Sequence, residues 1–225
     1  IDIGWHCKNP NICFGYDYCW TQQRSIPEYS DFNIFPLTKK SKALELYQKG
    51  IINIEDIPRS EKLTKIQIKQ VDLVKANKVV MDKNAIKVFL KSFNYPYYYF
   101  DFETFQQAFP EFIGVKPFQQ IPFQYSLHVQ DADEIKHFEF LAETDGTDPR
   151  IGFIKQLISD CGSEGDILVY NISFEQSKTE DLIQAYPDYK VPLERIIRRL
   201  KDLMEPFQKG WYYTPEMKGS YSIKQ

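Results

Sequence analysis

The stretch YYYFDFET at residues 97–104 decides the fold, because a run of strand-forming aromatic residues ends in two acids. Side chains alternate between the two faces of a strand, so Asp101 and Glu103 are predicted to point the same way at its carboxyl end. Two like charges this close repel each other unless a cation or a proton lies between them. Carboxylate oxygens suit Mg²⁺ or Mn²⁺, and the pair therefore predicts a site for phosphodiester hydrolysis assisted by two metal ions. A solvated strand end with two exposed acids is the alternative.

A second acidic motif, VYNISFE at residues 169–175, follows another apolar run. Residues 167–170 predict an interior parallel strand, and a helix is predicted to begin near Ser173. Glu175 then lies in the first helical turn, where unpaired backbone amides stabilise a carboxylate. Asn171 is predicted to end the strand and to offer its amide to a substrate. The alternative is an ordinary helix cap, with Ser173 as the capping residue.

Composition sets limits on the fold and on the partners. A chain of 225 residues with 43% hydrophobic content can form one sizeable core and a smaller appendage. No apolar run reaches 18 residues and no secretory signal is evident, so we expect a cytoplasmic protein without a membrane partner. The net charge of −3 requires any nucleic acid to bind at local basic patches, which can equally be polar helix faces. The two candidate patches are Arg195, Arg198, Arg199 and Lys201, and Lys62, Lys65 and Lys69.

Changes in composition and in periodicity along the sequence predict three regions. Residues 1–36 are rich in Cys and aromatic residues, and residues 37–94 form a helical linker. Residues 95–225 form an α/β domain with a mixed sheet flanked by helices, because a hairpin pattern gives way to alternating helix and strand. Strands are predicted at residues 97–102, 123–130, 135–141 and 167–170, and residues 200–204 are a further candidate strand. Helices are predicted at 63–75, 83–91, from 148 onward and at 173–185.

The N-terminal cysteines have a spacing that indicates a metal site. Cys7, Cys13 and Cys19 follow the pattern C-x5-C-x5-C, and clustered cysteines in a chain without secretory features favour metal over disulfides. Zinc held by these residues and His6 is one reading, although the spacing is looser than that of most zinc sites. Buried free thiols are the alternative, and Cys161 is predicted to be simply buried.

The two acidic motifs together resemble those of the DEDD exonuclease superfamily, whose RNase H-like domains hold two divalent metals with four carboxylates. The resemblance implies that Asp101, Glu103 and Glu175 are metal ligands, although the family normally has Asp where this chain has Glu175. The last motif of the family, a His or Tyr followed by Asp, has no match, and we expect it to lie beyond Gln225 in a longer protein. Arg198 to Met204 resembles the strand between the family's second and last motifs and carries Asp202.

The resemblance also suggests supporting roles. Thr104, Asn171 and Asp202 would contact the substrate or support the metal ligands from behind. This chain would then be a fragment truncated at its C-terminus, with weak metal binding and little hydrolysis of its own.

A second resemblance covers nearly the whole chain. The order of Cys-rich segment, helical connector and motifs is similar to that of a bacterial family of domains of unknown function, whose members join a RecB-like nuclease domain to an RNase H-like domain. The motifs are FDFET at 100–104, IPFQYSLH at 121–128, DPR at 148–150, YNISFE at 170–175 and KGSYSIK at 218–224. In RecB-like nucleases three such cysteines and one far upstream hold a [4Fe–4S] cluster, and here the upstream residue would precede Ile1.

These observations lead to one main hypothesis and two alternatives. The main hypothesis is a metal-dependent nuclease, a 3′–5′ exonuclease acting on DNA with Mg²⁺ or Mn²⁺ and with an Fe–S cluster or Zn²⁺ in the N-terminal region. The first alternative is a catalytically inactive RNase H-like module that binds nucleic acid or protein. The second is a purely structural scaffold for the Cys-rich region.

Overall fold

The computed structural model describes residues 2–9, 11–26, 40–132, 134–217 and 221–223. The chain divides into two compact units, one of residues 1–86 with 206–225 and one of residues 87–205. We call them the N-terminal unit and the sheet unit. Residues 27–36 of the predicted Cys-rich region and most of the KGSYSIK motif lie outside the described residues. The boundaries predicted at residues 36 and 94 stay a prediction.

The secondary structure elements are as follows. The strands are β1 Val80–Met81, β2 Tyr97–Gln106, β3 Gln120–Asp131, β4 Glu134–Leu141, β5 Asp166–Val169, β6 Leu200–Asp202 and β7 Tyr212–Tyr213. The α-helices are α1 Lys40–Gln48, α2 Lys65–Ala76, α3 Lys83–Lys91, α4 Pro149–Asp160, α5 Ile172–Ala185, α6 Lys190–Arg199 and α7 Glu205–Gln208. Short 3₁₀ turns cover Trp5–Cys7, Ile54–Asp56, Pro187–Tyr189 and Pro215–Met217, and Tyr18–Gln22 form a π-helical turn.

The sheet unit is built on a five-stranded mixed sheet in the order β4-β3-β2-β5-β6. Strand β2 lies at its centre, antiparallel to β3 on one side and parallel to β5 on the other. Strands β3 and β4 form the predicted hairpin, and β6 runs parallel to β5. The predicted α/β class with a mixed sheet flanked by helices is therefore confirmed.

Strand β2 shows the predicted alternation of faces. Tyr98, Phe100 and Phe102 are buried, whereas the residues between them, Tyr99 and Asp101, are exposed, and Glu103 is exposed as well. The two acids thus share the face that points away from the aromatic core, as period-two alternation requires.

The core of the sheet unit lies over the aromatic face of β2. Phe102 packs edge-on against Phe153 of α4 and stacks on Phe174 of α5, with ring centroids 5.9 Å and 5.4 Å away. Leu193 of α6 is fully buried in the same cluster. Three helices therefore cover one face of the sheet, and their apolar burial is the main stabilising contribution to the unit.

The N-terminal unit has smaller apolar clusters. One gathers Ile3, Cys7, Trp20 and Ile26 with Ala43 of α1, and the other joins α1 and α2 through Leu46, Ile57 and Val71. Strands β1 and β7, which the sequence patterns did not predict, pair antiparallel in this unit. No helix in the described part of the chain is long and apolar enough to cross a membrane.

Arg199, at the end of α6, fastens the C-terminal end of α4 to the start of β5. Its guanidinium donates hydrogen bonds to the carbonyl oxygens of Cys161 and Gly162 at 2.8 and 2.9 Å, and to those of Glu164 and Gly165. The same group lies over the ring of Tyr98. A helix end leaves carbonyl groups without intrahelical partners, and the planar, five-donor guanidinium satisfies several of them at once.

We therefore predict that Arg199→Lys lowers the free energy of unfolding by about 2 kcal/mol, because an ammonium group cannot reach these carbonyls together. Urea denaturation followed by circular dichroism measures the change. Arg198→Lys, an exposed neighbour on the same helix, is the matched control and is expected to change stability by less than about 0.5 kcal/mol. Equal effects of the two substitutions would contradict the assigned role of Arg199.

Candidate carboxylate site

The strand register brings acids from β2 and β6 to the same level of the sheet. Tyr99 pairs with Leu168 and Leu168 with Lys201, while Asp202 pairs with Val169 at the end of β5. Asp101 therefore lies within one residue of the level of Asp202, beside the carboxyl ends of β5 and β6, although β2 itself continues to Gln106 and does not end after residue 102 as predicted. Ligands of open α/β sheets bind at such strand ends.

Glu175 is the third acid at this position, and it is buried. Its side chain lies in the first turn of α5 with only 4% of its surface exposed, and its Oε2 atom has no hydrogen-bond partner among the described residues. Burial, and then the negative charges of Asp101 and Asp202, raise the pKa of Glu175 to about 7, although its own backbone N–H opposes the shift. The structure thus gathers Asp101, Glu175 and Asp202, and a shift of this origin in a cluster of acids indicates a functional site.

Asp202 is held in place by the backbone. Its Oδ1 atom accepts hydrogen bonds from the N–H groups of Asn171 and Met204, at 3.0 and 2.9 Å. Asn171 itself has a left-handed backbone with φ of 73°, a conformation that Asn tolerates better than most residues, and its side chain accepts a bond from the Ser173 hydroxyl. Asp202 therefore connects the end of β6 to the turn that precedes Glu175 and positions its side chain.

The remaining predicted residues of the site lie further along β2. Glu103 is exposed two residues beyond Asp101 and is not among the charges that shift the pKa of Glu175. Thr104 lies where a β-bulge interrupts the pairing of β2 with β3, directly after Glu103. Bulges re-aim neighbouring side chains and are common beside active sites. The proposed contacts of Glu103 and Thr104 with metal and substrate stay predictions.

Polar residues of the hairpin extend the acidic face, and the sequence analysis missed them. Ser126 lies directly opposite Asp101 on β3, and Glu139 lies directly opposite Ser126 on β4. His128 and His137 form the next pair along these strands. The alternation of polar residues in the hairpin sequence could have predicted this polar face, because residues paired across neighbouring strands lie on the same face of the sheet.

The cysteines of the N-terminal unit are free thiols with different exposure. Cys7 is buried, Cys19 is half-buried and Cys13 is exposed. The sulfur atoms of Cys13 and Cys19 lie 3.8 and 3.9 Å from the position that a Cβ of Gly15 would occupy, which brings both to one side of that glycine. Cys161 is buried, as predicted, and burial raises the pKa of its thiol to about 12.

The acidic residues and the cysteines are the two candidate sets of metal ligands. Among the described residues, no three or more His, Cys, Asp or Glu side chains are arranged so that they could hold a metal ion. The donor chemistry of the acidic cluster nevertheless fits a hard divalent cation, because the buried Oε2 of Glu175 has no hydrogen bond and faces two further negative charges. Closing such a site requires side-chain movement.

Comparison with known proteins assigns the family. A family model matches residues 98–222, which is more than half of the 225 residues. The chain belongs to the DUF2779 family, a domain of unknown function. No curated protein and no solved structure matches the chain. The DUF2779 match includes Asp101, Glu175 and Asp202 and excludes the three N-terminal cysteines.

The raised pKa of Glu175 gives a prediction for stability against pH. The folded protein holds this proton up to about pH 7, whereas an unfolded Glu releases it near 4.5, so the wild type loses stability as pH rises between these values. We expect Glu175→Gln to be more stable than the wild type by about 1–3 kcal/mol at pH 8 and nearly equal to it at pH 4.5. Urea denaturation in the presence of a chelator measures both.

Glu143→Gln, an exposed acid of the same unit, controls for the loss of one carboxylate and is expected to show no such dependence. A stability difference between wild type and Glu175→Gln that stays constant from pH 4.5 to pH 8 would show that Glu175 ionises as freely in the fold as in the unfolded chain.

Proposed function

We propose that this DUF2779 domain is a metal-dependent nuclease with an RNase H-like fold, cleaving phosphodiester bonds in DNA from the 3′ end. The observation that carries the proposal is the gathering of Asp101, Glu175 and Asp202 where β5 and β6 end beside the middle of β2. Three antiparallel strands followed by two parallel ones, with acids on the central strand, are the arrangement that an RNase H-like exonuclease needs.

The three acids differ in their exposure and in their hydrogen bonds. Asp101 is exposed and accessible to a ligand from solvent, Asp202 is fixed by two backbone N–H groups, and Glu175 is buried without a hydrogen bond to Oε2. Burying an ionisable group without a partner is costly for stability and is therefore a feature expected of a functional site more than of a structural one.

Mg²⁺ or Mn²⁺ would be held by Asp101 and Glu175, with Glu103 contributing from the same face of β2. When bound, the ion would polarise the phosphate and lower the pKa of a bound water. The chain's own residues supply the rest. Asp202 holds the turn at Asn171 and so orients the start of α5, and the amide of Asn171 or the hydroxyl of Thr104 would donate to the substrate.

Cleavage of 5′-labelled single-stranded DNA by the full-length protein in Mn²⁺ tests the proposal. We predict a ladder of 5′-labelled products, abolished by chelator, and a loss of at least roughly 100-fold in rate for Asp101→Asn. Glu175→Gln is expected to be less damaging, because the exposed Asp101 on the central strand would still hold the ion.

Glu143→Gln is the matched control for these variants and is expected to keep the wild-type rate. If the full-length protein shows no metal-dependent cleavage, or if Asp101→Asn leaves cleavage intact, the domain is not a nuclease. Metal-independent binding of DNA or of a protein in that case would establish the catalytically inactive module instead.

We further propose that Cys7, Cys13 and Cys19 belong to a RecB-like nuclease region and bind a [4Fe–4S] cluster together with an upstream cysteine. Two of the three sulfur atoms already lie on one side of Gly15, which supports a shared ligand. Full-length protein purified without oxygen is expected to contain about four iron atoms and to lose them in Cys13→Ser, whereas Cys161→Ser keeps them. Zinc without iron at this position would identify His6 as the fourth ligand instead.

A further inference from the structure

The hairpin of β3 and β4 presents two imidazoles side by side. His128 and His137 are direct partners across the strands, both are exposed, and their rings stack with centroids 4.4 Å apart and planes 23° apart. A ring nitrogen of His137, Nε2, lies 3.1 Å from the hydroxyl oxygen of Ser126. Two imidazoles fixed on neighbouring strands are a pair of nitrogen donors held at short range.

The charge of the surrounding face favours a cation. Asp101 and Glu103 of β2 and Glu139 of β4 lie on this face, and none of the described positions on the same face of β2, β3 and β4 is Lys or Arg. Glu139 lies two residues from His137 on the same side of β4 and directly opposite Ser126. Because the charged side chains at the described positions of this face are all acids, a cation near the two imidazoles meets no positive side chain on the same face of these strands.

We propose that His128 and His137 chelate a divalent transition-metal ion of the kind that imidazole prefers, such as Zn²⁺, Ni²⁺ or Cu²⁺, across β3 and β4. Metal–nitrogen bonds of about 2.0–2.1 Å place the two donor nitrogens of a tetrahedral ion about 3.3 Å apart, with their lone pairs converging on the ion. The two rings now stack with centroids 4.4 Å apart, and because both side chains are exposed they can rotate from the stack into that arrangement. Water molecules complete the coordination.

This site differs in chemistry from the acidic cluster at Asp101. Carboxylates select hard ions such as Mg²⁺ and Mn²⁺, whereas nitrogen ligands select softer ions. The proposal does not depend on the nuclease reading, since chelation requires only the two imidazoles and the field around them. A metal bound there would also link β3 to β4 and so stabilise the hairpin.

The chain contains only three histidines, which makes a direct experiment possible. Long-range ¹H–¹⁵N spectra of the labelled chain resolve the ring nitrogens of each imidazole during titration with Zn²⁺. We expect the signals of His128 and His137 to shift together and to saturate together. Signals from both residues that remain unchanged at ten equivalents of Zn²⁺ would overturn the proposal.

Calorimetric titration with Ni²⁺ measures the affinity in matched variants. His128→Gln and His137→Gln are each expected to weaken binding at least about tenfold, because one donor loses the high local concentration of the other. Glu143→Gln, which changes an exposed residue outside the pair, is the control and is expected to leave this binding event unchanged. Equal weakening in all three variants would show that the chelate does not form.

A thermal measurement guards against misfolded variants. Without metal, all three variants are expected to melt within about 3 °C of the wild type, since the substituted residues are exposed. Zn²⁺ is then expected to raise the melting temperature of the wild type and of Glu143→Gln but not of the other two. A rise that persists in His128→Gln and in His137→Gln would place the stabilising ion elsewhere and overturn the site.

Discussion

Everything in the sheet unit depends on the pairing of β2 with two strands of opposite direction. Antiparallel pairing with β3 runs along the whole strand, and parallel pairing with β5 covers its first residues, Tyr97 to Tyr99. Its side chains must then alternate, so that Tyr98, Phe100 and Phe102 enter the core and Asp101 does not. A shift of one residue in this register would bury the acids and expose the aromatic rings, and the fold and the site are therefore specified by the same constraint.

The candidate site is arranged at the expense of stability. Asp202 is compensated by two backbone donors, but Glu175 is buried against the charges of Asp101 and Asp202 without a hydrogen bond to Oε2. The apolar packing of Phe102 against Phe153 and Phe174 supplies the stabilisation that tolerates this conflict. A rigid aromatic core combined with repulsion between neighbouring acids is common where function competes with stability.

The sequence specified the fold better than it specified the site. Alternation in YYYFDFET and the apolar run before Asn171 predicted the central strands, because burial acts on each residue locally. The contact of Asp202 with the turn at Asn171 could not be derived in the same way, since it joins residues through the tertiary crossover of α5 and α6. The pairing of His128 with His137 required the exact hairpin register, which the turn sequence alone leaves open. Strands β1 and β7 have two residues each, too few for any periodic pattern.

Strand β4 is one of the two outer strands of the sheet, and among the described residues no further strand pairs with its free side. Its backbone therefore offers unpaired N–H and C=O groups, and Ile135 and Leu141 are largely exposed beside them. Glu134 and Lys136, whose side chains lie 3.3 Å apart, place charge along the same strand. Charged side chains on an outer strand oppose aggregation, because a second chain cannot pair there without bringing its own charges into register. Replacing both with apolar residues would leave the core intact while turning this strand into a template for association between copies.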